Sequence, residues 1–349
     1  MKKKVLLIIV AVVCLAALVA CAAPAPAPAP APKPTPTPRE LIYHHHGPKT
    51  TFMAMESYGS FIVSRMNELT KGELKIVEYG GGELVEAKDV YEAVRDGAIP
   101  MGCGVTPYES GTWRLMNFFE LPFFFKKPEM SDARAIWHRL YDEMLADYAR
   151  NELGVVFLKG GWFTAEFDLW STKPIRSLED MHGMKIEVPG AIASAGVVAF
   201  GGTPVALVST EIYPSIQRGT VDGVMIQAFS VQDFKLDELV KYGTILGFWG
   251  MGGTYIVNPE VWDSFTDSQR EALHQASLDA EANLASKHTA KTQEAYRQLL
   301  ELGIELIGVS PTEKARWENA SKSVWDEWEA DRGAEGTKIL AIAREMRGS

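Results

Sequence analysis

Three textures of apolar and polar residues follow one another along the chain. Residues 5–17 are an unbroken apolar run, and residues 22–38 alternate Pro with small side chains. Beyond these, short apolar runs take turns with helical spacing. Phe52, Met55, Phe61, Ile62, Met66 and Leu69 fall on one helical stripe, and Gly72 offers the left-handed residue that ends it. Residues 74–79 alternate as a strand until Gly80-Gly81-Gly82, and residues 87–96 read as a helix stopped by Gly97. Residues 154–158, 184–188 and 254–257 are candidate buried strands. Strands alternating with helices predict an α/β protein with mostly parallel sheets.

The last quarter has another rhythm. Thr266-Asp267-Ser268-Gln269 fits a capping box, and neither Pro nor Gly interrupts the chain until Gly303. That spacing predicts a helix of roughly 35 residues, about 50 Å long at 1.5 Å per residue. Its Ala-rich face lacks sustained heptads, so it is expected to brace two lobes and not to form a coiled coil. Residues 304–307 read as a strand, and Ser310-Pro311-Thr312-Glu313 starts another helix. Trp317, Ala320, Val324 and Trp328 form its core-facing stripe, which Gly333 ends.

The two N-terminal textures concern export. Lys2, Lys3 and Lys4 precede an apolar run of 13 residues, too short for a membrane span of ~20 residues. Leu18-Val19-Ala20-Cys21 then resembles a bacterial lipobox, which makes residues 1–20 a lipoprotein signal and Cys21 the lipid anchor. A plain secretory signal cleaved near Ala23 is the alternative. Residues 22–38 favour a polyproline II tether reaching on the order of 50 Å from a bilayer. The expected location is the periplasmic or extracellular face of a bacterial membrane. Cys14 and Cys21 fall in these segments, leaving Cys103 alone in the body as a small buried residue with no disulfide framework.

The 349 residues carry 35 Lys and Arg against 45 Asp and Glu, a net charge of -10. Three of those Lys lie in the signal, so the remainder is more acidic still, which excludes a nucleic-acid groove. Enzyme signatures are absent: there is no Walker A loop, GxGxxG, GxSxG or HExxH, and no cofactor is expected. His44-His45-His46 is the one metal-like cluster, but adjacent strand residues face opposite ways and cannot all ligate one ion. His45 or His46 is the candidate to touch a ligand from the loop after the first strand.

An ordered set of segments resembles the DctP-type solute-binding proteins of tripartite ATP-independent periplasmic (TRAP) transporters over residues 40–335. The matching segments are Glu68 to Leu74 (ELTKGEL), Val94 to Met101 (VRDGAIPM), Glu120 to Phe125 (ELPFFF), and Lys173-Pro174-Ile175 through Gly183-Met184-Lys185-Ile186. Gly201-Gly202-Thr203-Pro204, Ser209 to Tyr213 and Gln217 to Gly223 follow in order. The resemblance implies two α/β lobes joined by crossing strands and a lobe-spanning helix, closing on a solute that is passed to a TRAP membrane permease, with no catalysis. On this basis lobe I comprises residues 40–163 and 251–291, lobe II residues 164–250 and 292–335, and residues 336–349 a C-terminal tail.

The pattern departs from the family where it matters most. Relatives that bind organic acids clamp the carboxylate with Arg in a "KIR" strand, whereas this chain has Lys185-Ile186-Glu187. A second Arg position, eight residues before Pro174, is Glu166, followed by Phe167. The family's Asn falls near Ile226 or Gln227. Two like charges ~4 Å apart repel by about 4 kcal/mol at an effective dielectric of 20, so a simple dicarboxylate is disfavoured beside Glu187. The ligand is expected to be a neutral polyhydroxy, amine-bearing or metal-bridged solute, with Glu187, Glu166 and Glu211 accepting hydrogen bonds; alternatively, Glu187 faces away, paired with Lys185 or another base, while an Arg elsewhere captures an anion. Trp162 and Trp249, which flank the crossovers beside Gly, complete the candidate site with Phe167, Gln227 and His45. Two other functions stay open: an anchored sensor that docks on a signalling partner, and a hydrolase or lyase using Glu166 and Glu187 as acid and base.

Overall fold

A computed structural model describes residues 39–125 and 130–347. The signal, Cys21 and the tether lie outside the described residues. Among the described residues nine strands join in one sheet of order β2-β1-β3-β8-β4-β7-β5-β6, with β9 on β8. β1 (Arg39–His45), β2 (Leu74–Gly80) and β3 (Met101–Val105) form one end. β5 (Lys185–Glu187), β6 (Thr203–Val205), β7 (Gly223–Gln227) and β9 (Glu305–Gly308) form the other. β4 (Val156–Ser171) and β8 (Tyr242–Val257) are 16 residues each and run antiparallel through both. β3 pairs with the last residues of β8, and β7 with the last residues of β4. The two ends are thus two lobes, and the long strand pair is what crosses between them.

The runs 154–158 and 254–257 are therefore only the ends of longer strands. Gly160-Gly161 and Gly250-Met251-Gly252-Gly253 break the hydrophobic pattern without breaking the strand. Gly160 is required by close approach: a Cβ there would sit 2.2 Å from the Ser277 carbonyl carbon.

The partner at that contact is the predicted long helix, Asp267–Glu301, with the Thr266/Gln269 capping box formed in both directions. It grips β4 through successive polar contacts. The Ser277 hydroxyl accepts from Gly160 N at 2.8 Å, and Glu281 accepts from Gly161 N at 3.0 Å. His288 Nε2 meets Thr164 Oγ1 at 3.0 Å, and the Tyr296 hydroxyl donates to Asp168 at 2.5 Å. Residues 277 to 296 cover about 29 Å of helix, so one rod is fastened to the crossing strand along its length.

Register shifts interrupt the β4/β8 ladder at Phe157/Gly161, Thr164/Phe167 and Phe167/Leu169. At the second, Glu166 adopts a left-handed conformation (φ 59°) inside the strand. At the third, Asp168 Oδ1 accepts from Leu246 N and Gly247 N at 2.8 and 2.9 Å. One side chain thus supplies the hydrogen bonds that the ladder loses.

The C-terminal segment is not a tail. Gly333 leaves the helical region (φ 58°, ψ -136°), but the chain resumes a helix that runs to Arg347. Ile339, Leu340, Ile342 and Ala343 bury in the same cluster as Ile136, Trp137 and Leu140. Trp317 joins the lobe II cluster beside Phe200, and Trp328 the lobe I cluster, its indole N–H donating to Asn117 Oδ1 at 2.7 Å. The stripe expected on one helix therefore packs into both lobes.

Candidate functional site

Where the two lobes face each other they enclose a cavity with about 660 Å³ of empty space, counting the solvent at its mouth. Its walls come from strand ends and the loops that follow them, where α/β sheets place ligands. His46 follows β1, Tyr108 follows β3, Trp162 and Phe167 are on β4, Glu187 ends β5, and Gln227 ends β7. Asp233 lies at the end of the helix Ala228–Asp233. Most of the remaining surface is apolar: Met53, Leu207, Ile212, Met225, Ile226, Phe234 and Met251.

Hydrogen bonds join the lips of the cleft. Phe52 N donates to Asp233 Oδ2 at 3.1 Å, and Ala191 N to Ser110 Oγ at 3.4 Å. Gly190 sits at φ 117°, where a Cβ would fall 2.7 Å from the Pro107 carbonyl oxygen. The two rims thus touch through a residue with no side chain.

Aromatic faces form one wall. His46 stacks on Trp162 (5.7 Å between centroids, 22° between planes) and lies 4.5 Å from the Tyr58 ring. The Trp162 N–H is spent on Cys103 Sγ at 3.1 Å, so Trp162 stands in the wall without offering the cavity a donor. Burial drives the Cys103 thiol upward, consistent with its role as a small core residue. Burial holds His46 well below its ordinary pKa, so it is neutral.

Gln227 and Glu187 differ sharply in how they are held. Gln227 Nε2 donates to Thr164 Oγ1 at 2.7 Å, and its Oε1 accepts from Ser230 at 3.2 Å. Glu187 is 1% exposed, and among the described residues no group donates a hydrogen bond to its carboxyl and no cation lies against it. Burial alone raises its pKa well above the ordinary carboxylate range. Its neighbour Ile186 packs into the lobe II core, so Glu187, next on the strand, turns the opposite way. The carboxyl is close enough to Tyr108 to add to burial in pushing that phenol up to about 12. Asp233 is also raised by burial, with Phe52 N–H and Lys291 drawing it partly back.

Of the residues read from the sequence, Glu187, Phe167, Trp162 and Gln227 come together on the cavity wall, and Glu166, Glu211, Trp249 and His45 do not. His45 points to the other side of β1, its Nε2 on Glu78 at 3.0 Å; strand parity gives the cavity to His46. Glu166 sits in the strand bulge, one residue from Phe167 and outside the wall. Glu211 is an exposed helix cap whose carboxylate accepts from Val208 N at 3.2 Å. Trp249 is buried behind Phe167 in an edge-to-face contact at 4.6 Å. Glu166 and Glu187 therefore do not share the cavity, and the acid–base pair of the hydrolase reading is not assembled there.

Tyr58, Tyr108 and Asp233 escaped sequence reading. Each reaches the cavity through a non-local approach, and only Tyr108 carried a signal, its place in the loop after the buried run 101–105. Among the described residues no Lys or Arg lines the cavity, and no group of three His, Cys, Asp or Glu is placed to hold a metal ion. No helix among them is long and apolar enough to cross a membrane.

Comparison with known proteins agrees on one family. The family model for bacterial extracellular solute-binding protein, family 7 (DctP), matches residues 54–331. The chain is 25% identical over 304 residues to a monocarboxylate 2-oxoacid-binding periplasmic protein of Nostoc, covering 79% of this chain and 81% of that one. It is 24% identical over 281 residues to the C4-dicarboxylate-binding periplasmic protein DctP of Rhodobacter capsulatus, covering 78% and 82%. Among solved structures, a TRAP solute binding protein specific for pyroglutamate, from an unidentified marine microbe, superposes with a TM-score of 0.81 at 20% identity, covering 88% of this chain and 99% of that one.

Proposed function

Because the chain belongs to the DctP family of bacterial extracellular solute-binding proteins, family 7, we propose that it is an extracytoplasmic receptor that closes two lobes on a small organic solute. It delivers that solute to a TRAP-type permease and performs no chemistry on it. Family members are periplasmic or extracellular; this one is read as a lipoprotein held at the membrane by Cys21 and the Pro-rich tether. Closure bends the crossing strands near 163/164 and 250/251, with the long helix flexing near 291/292.

The observation that carries the reading is a cavity between the lobes whose rims touch and whose polar groups converge from both sides. The solute is not an Arg-clamped dicarboxylate, since the cavity wall holds two acids and neither Lys nor Arg. A thermal-shift screen of organic acids, sugars, polyols and amines in chelator-treated buffer tests this. At least one class raises Tm, and small-angle scattering shows compaction on binding. If every class is silent and native mass spectrometry finds no small molecule carried through purification, the receptor reading is wrong.

A further inference from the structure

Resting on that receptor reading, we infer that the solute is a small organic cation, with an ammonium or amidinium head on the Glu187 carboxylate and an apolar body against Tyr58, Tyr108, Trp162 and Phe167. Two independent features support this. The first is an acid without a partner: Glu187 is 1% exposed, lies on the cavity wall and receives no hydrogen bond from the described residues. A buried carboxylate of this kind needs a cation beside it, and the wall provides no Lys or Arg. The second is the surface around it. Trp162, with its N–H engaged by Cys103, packs behind His46 and Tyr58, so this part of the wall is aromatic and its indole N–H does not compete with a cation's donors.

The same features weigh against other solutes. Once ionised, Glu187 repels a carboxylate and attracts an ammonium, which offsets the cost of releasing the proton that the buried carboxyl holds in the free protein. A polyol needs matched partners for each hydroxyl, whereas most of the wall is Met, Leu, Ile and aromatic carbon. Asp233, the second acid on the wall, adds negative potential while its Oδ2 holds Phe52 N.

Binding is coupled to a proton. The titratable groups that share the cavity with Glu187 are His46, Tyr58, Tyr108 and Asp233, with Lys291 acting on Asp233. His46 is neutral and both phenols are protonated, so none of them supplies positive charge near neutral pH. Buried without a counter-ion, Glu187 holds its proton until the cation arrives; the carboxyl then releases that proton to solvent and keeps the ammonium as its hydrogen-bond donor. Cation affinity therefore tightens as pH rises, by up to ~tenfold per unit while Glu187 is protonated in the free protein.

The test uses matched probes on the full-length receptor in chelator-treated buffer: butylammonium, benzylammonium and phenethylammonium, each beside the carboxylate and the alcohol of equal size. Calorimetry is expected to show at least one ammonium bound tenfold or more tighter than its carboxylate and alcohol, with affinity rising from pH 6 to pH 8. Glu187→Gln should weaken that ammonium ~100-fold and remove the pH dependence, while the alcohol is unaffected. A carboxylate preferred in every pair, or affinity that falls with pH, overturns the cation and leaves the receptor reading standing. Silence of all three series also overturns the cation; the receptor reading falls with it only if the broad screen and native mass spectrometry are silent too.

Discussion

Asp168 and Glu187 are two buried carboxyls of one sheet with opposite surroundings. Asp168, in the crossing strand, accepts from two backbone N–H groups of β8 and from the Tyr296 hydroxyl of the long helix. Those donors offset burial, which lifts it only to about 6. Glu187, at the end of a three-residue strand, has no donor among the described residues, and burial acts on it unopposed. A buried acid whose donors come from the protein is part of the frame. One that faces a cavity without donors is arranged for a partner from outside. Glu120 shows that the cavity matters as well: burial outweighs Thr106 and Arg332 and raises it too, yet it lies away from the cavity.

Each acid can be removed to sharpen that contrast. The largest effect is expected from Asp168→Ala, which leaves two N–H groups and a phenol unpaired across the lobe junction. Unfolding free energy should fall by roughly 3–5 kcal/mol, read as a Tm lower by on the order of 10 °C. Glu120→Gln comes next and acts through pH. Burial raises Glu120 to about 8, so the folded state holds a proton that the unfolded state loses near pH 4.5. Its contribution is therefore present below about 4.5 and lost as pH climbs towards 8. The variant should flatten the fall in Tm between pH 5 and 9, with the solute Kd unchanged; Glu109, also raised to about 8, maintains part of the slope.

Glu187→Gln has the same sign of effect on stability: Tm unchanged at pH 5 and a few degrees higher at pH 9. Solute binding is what it should abolish. The smallest change is Gly190→Ala. It strains a left-handed position and sets a methyl against Pro107 only when the rims meet, so it should weaken solute binding by about tenfold, measured as Kd, with a Tm shift of a degree or two.

Much of this frame was legible because it is local. The capping box at Thr266 and the stop at Gly303 bound the long helix on their own, and Glu187 stood out as an acid at a position where relatives carry base. What escaped reading depends on register. His45 and His46 differ by one residue, and strand parity, set by pairing with β2 and β3, decides which enters the cavity. Glu166 looked like a site residue because it falls at the family's second Arg position, eight residues before Pro174; the bulge that turns it away comes from a mismatch with β8, about 80 residues later in the chain. Glu211, read as a ligand acceptor, is drawn instead to the backbone of Val208 as a helix cap. The helix after Gly333 was missed because its apolar residues make sense only against Trp137 of a distant element. Asp233 reaches the cavity across the cleft, a contact no window of sequence contains.

The central claim is that residue 187 is a sequestered, uncompensated acid facing the space between the lobes. Carbon-detected NMR of the Glu187 side-chain carboxyl, assigned by its loss in Glu187→Gln and followed from pH 3 to 9 in the solute-free protein, tests it most directly. The account predicts that this carboxyl stays protonated through neutral pH and ionises when the bound solute is added. A carboxyl that titrates near 4.5 and ignores the solute would contradict it.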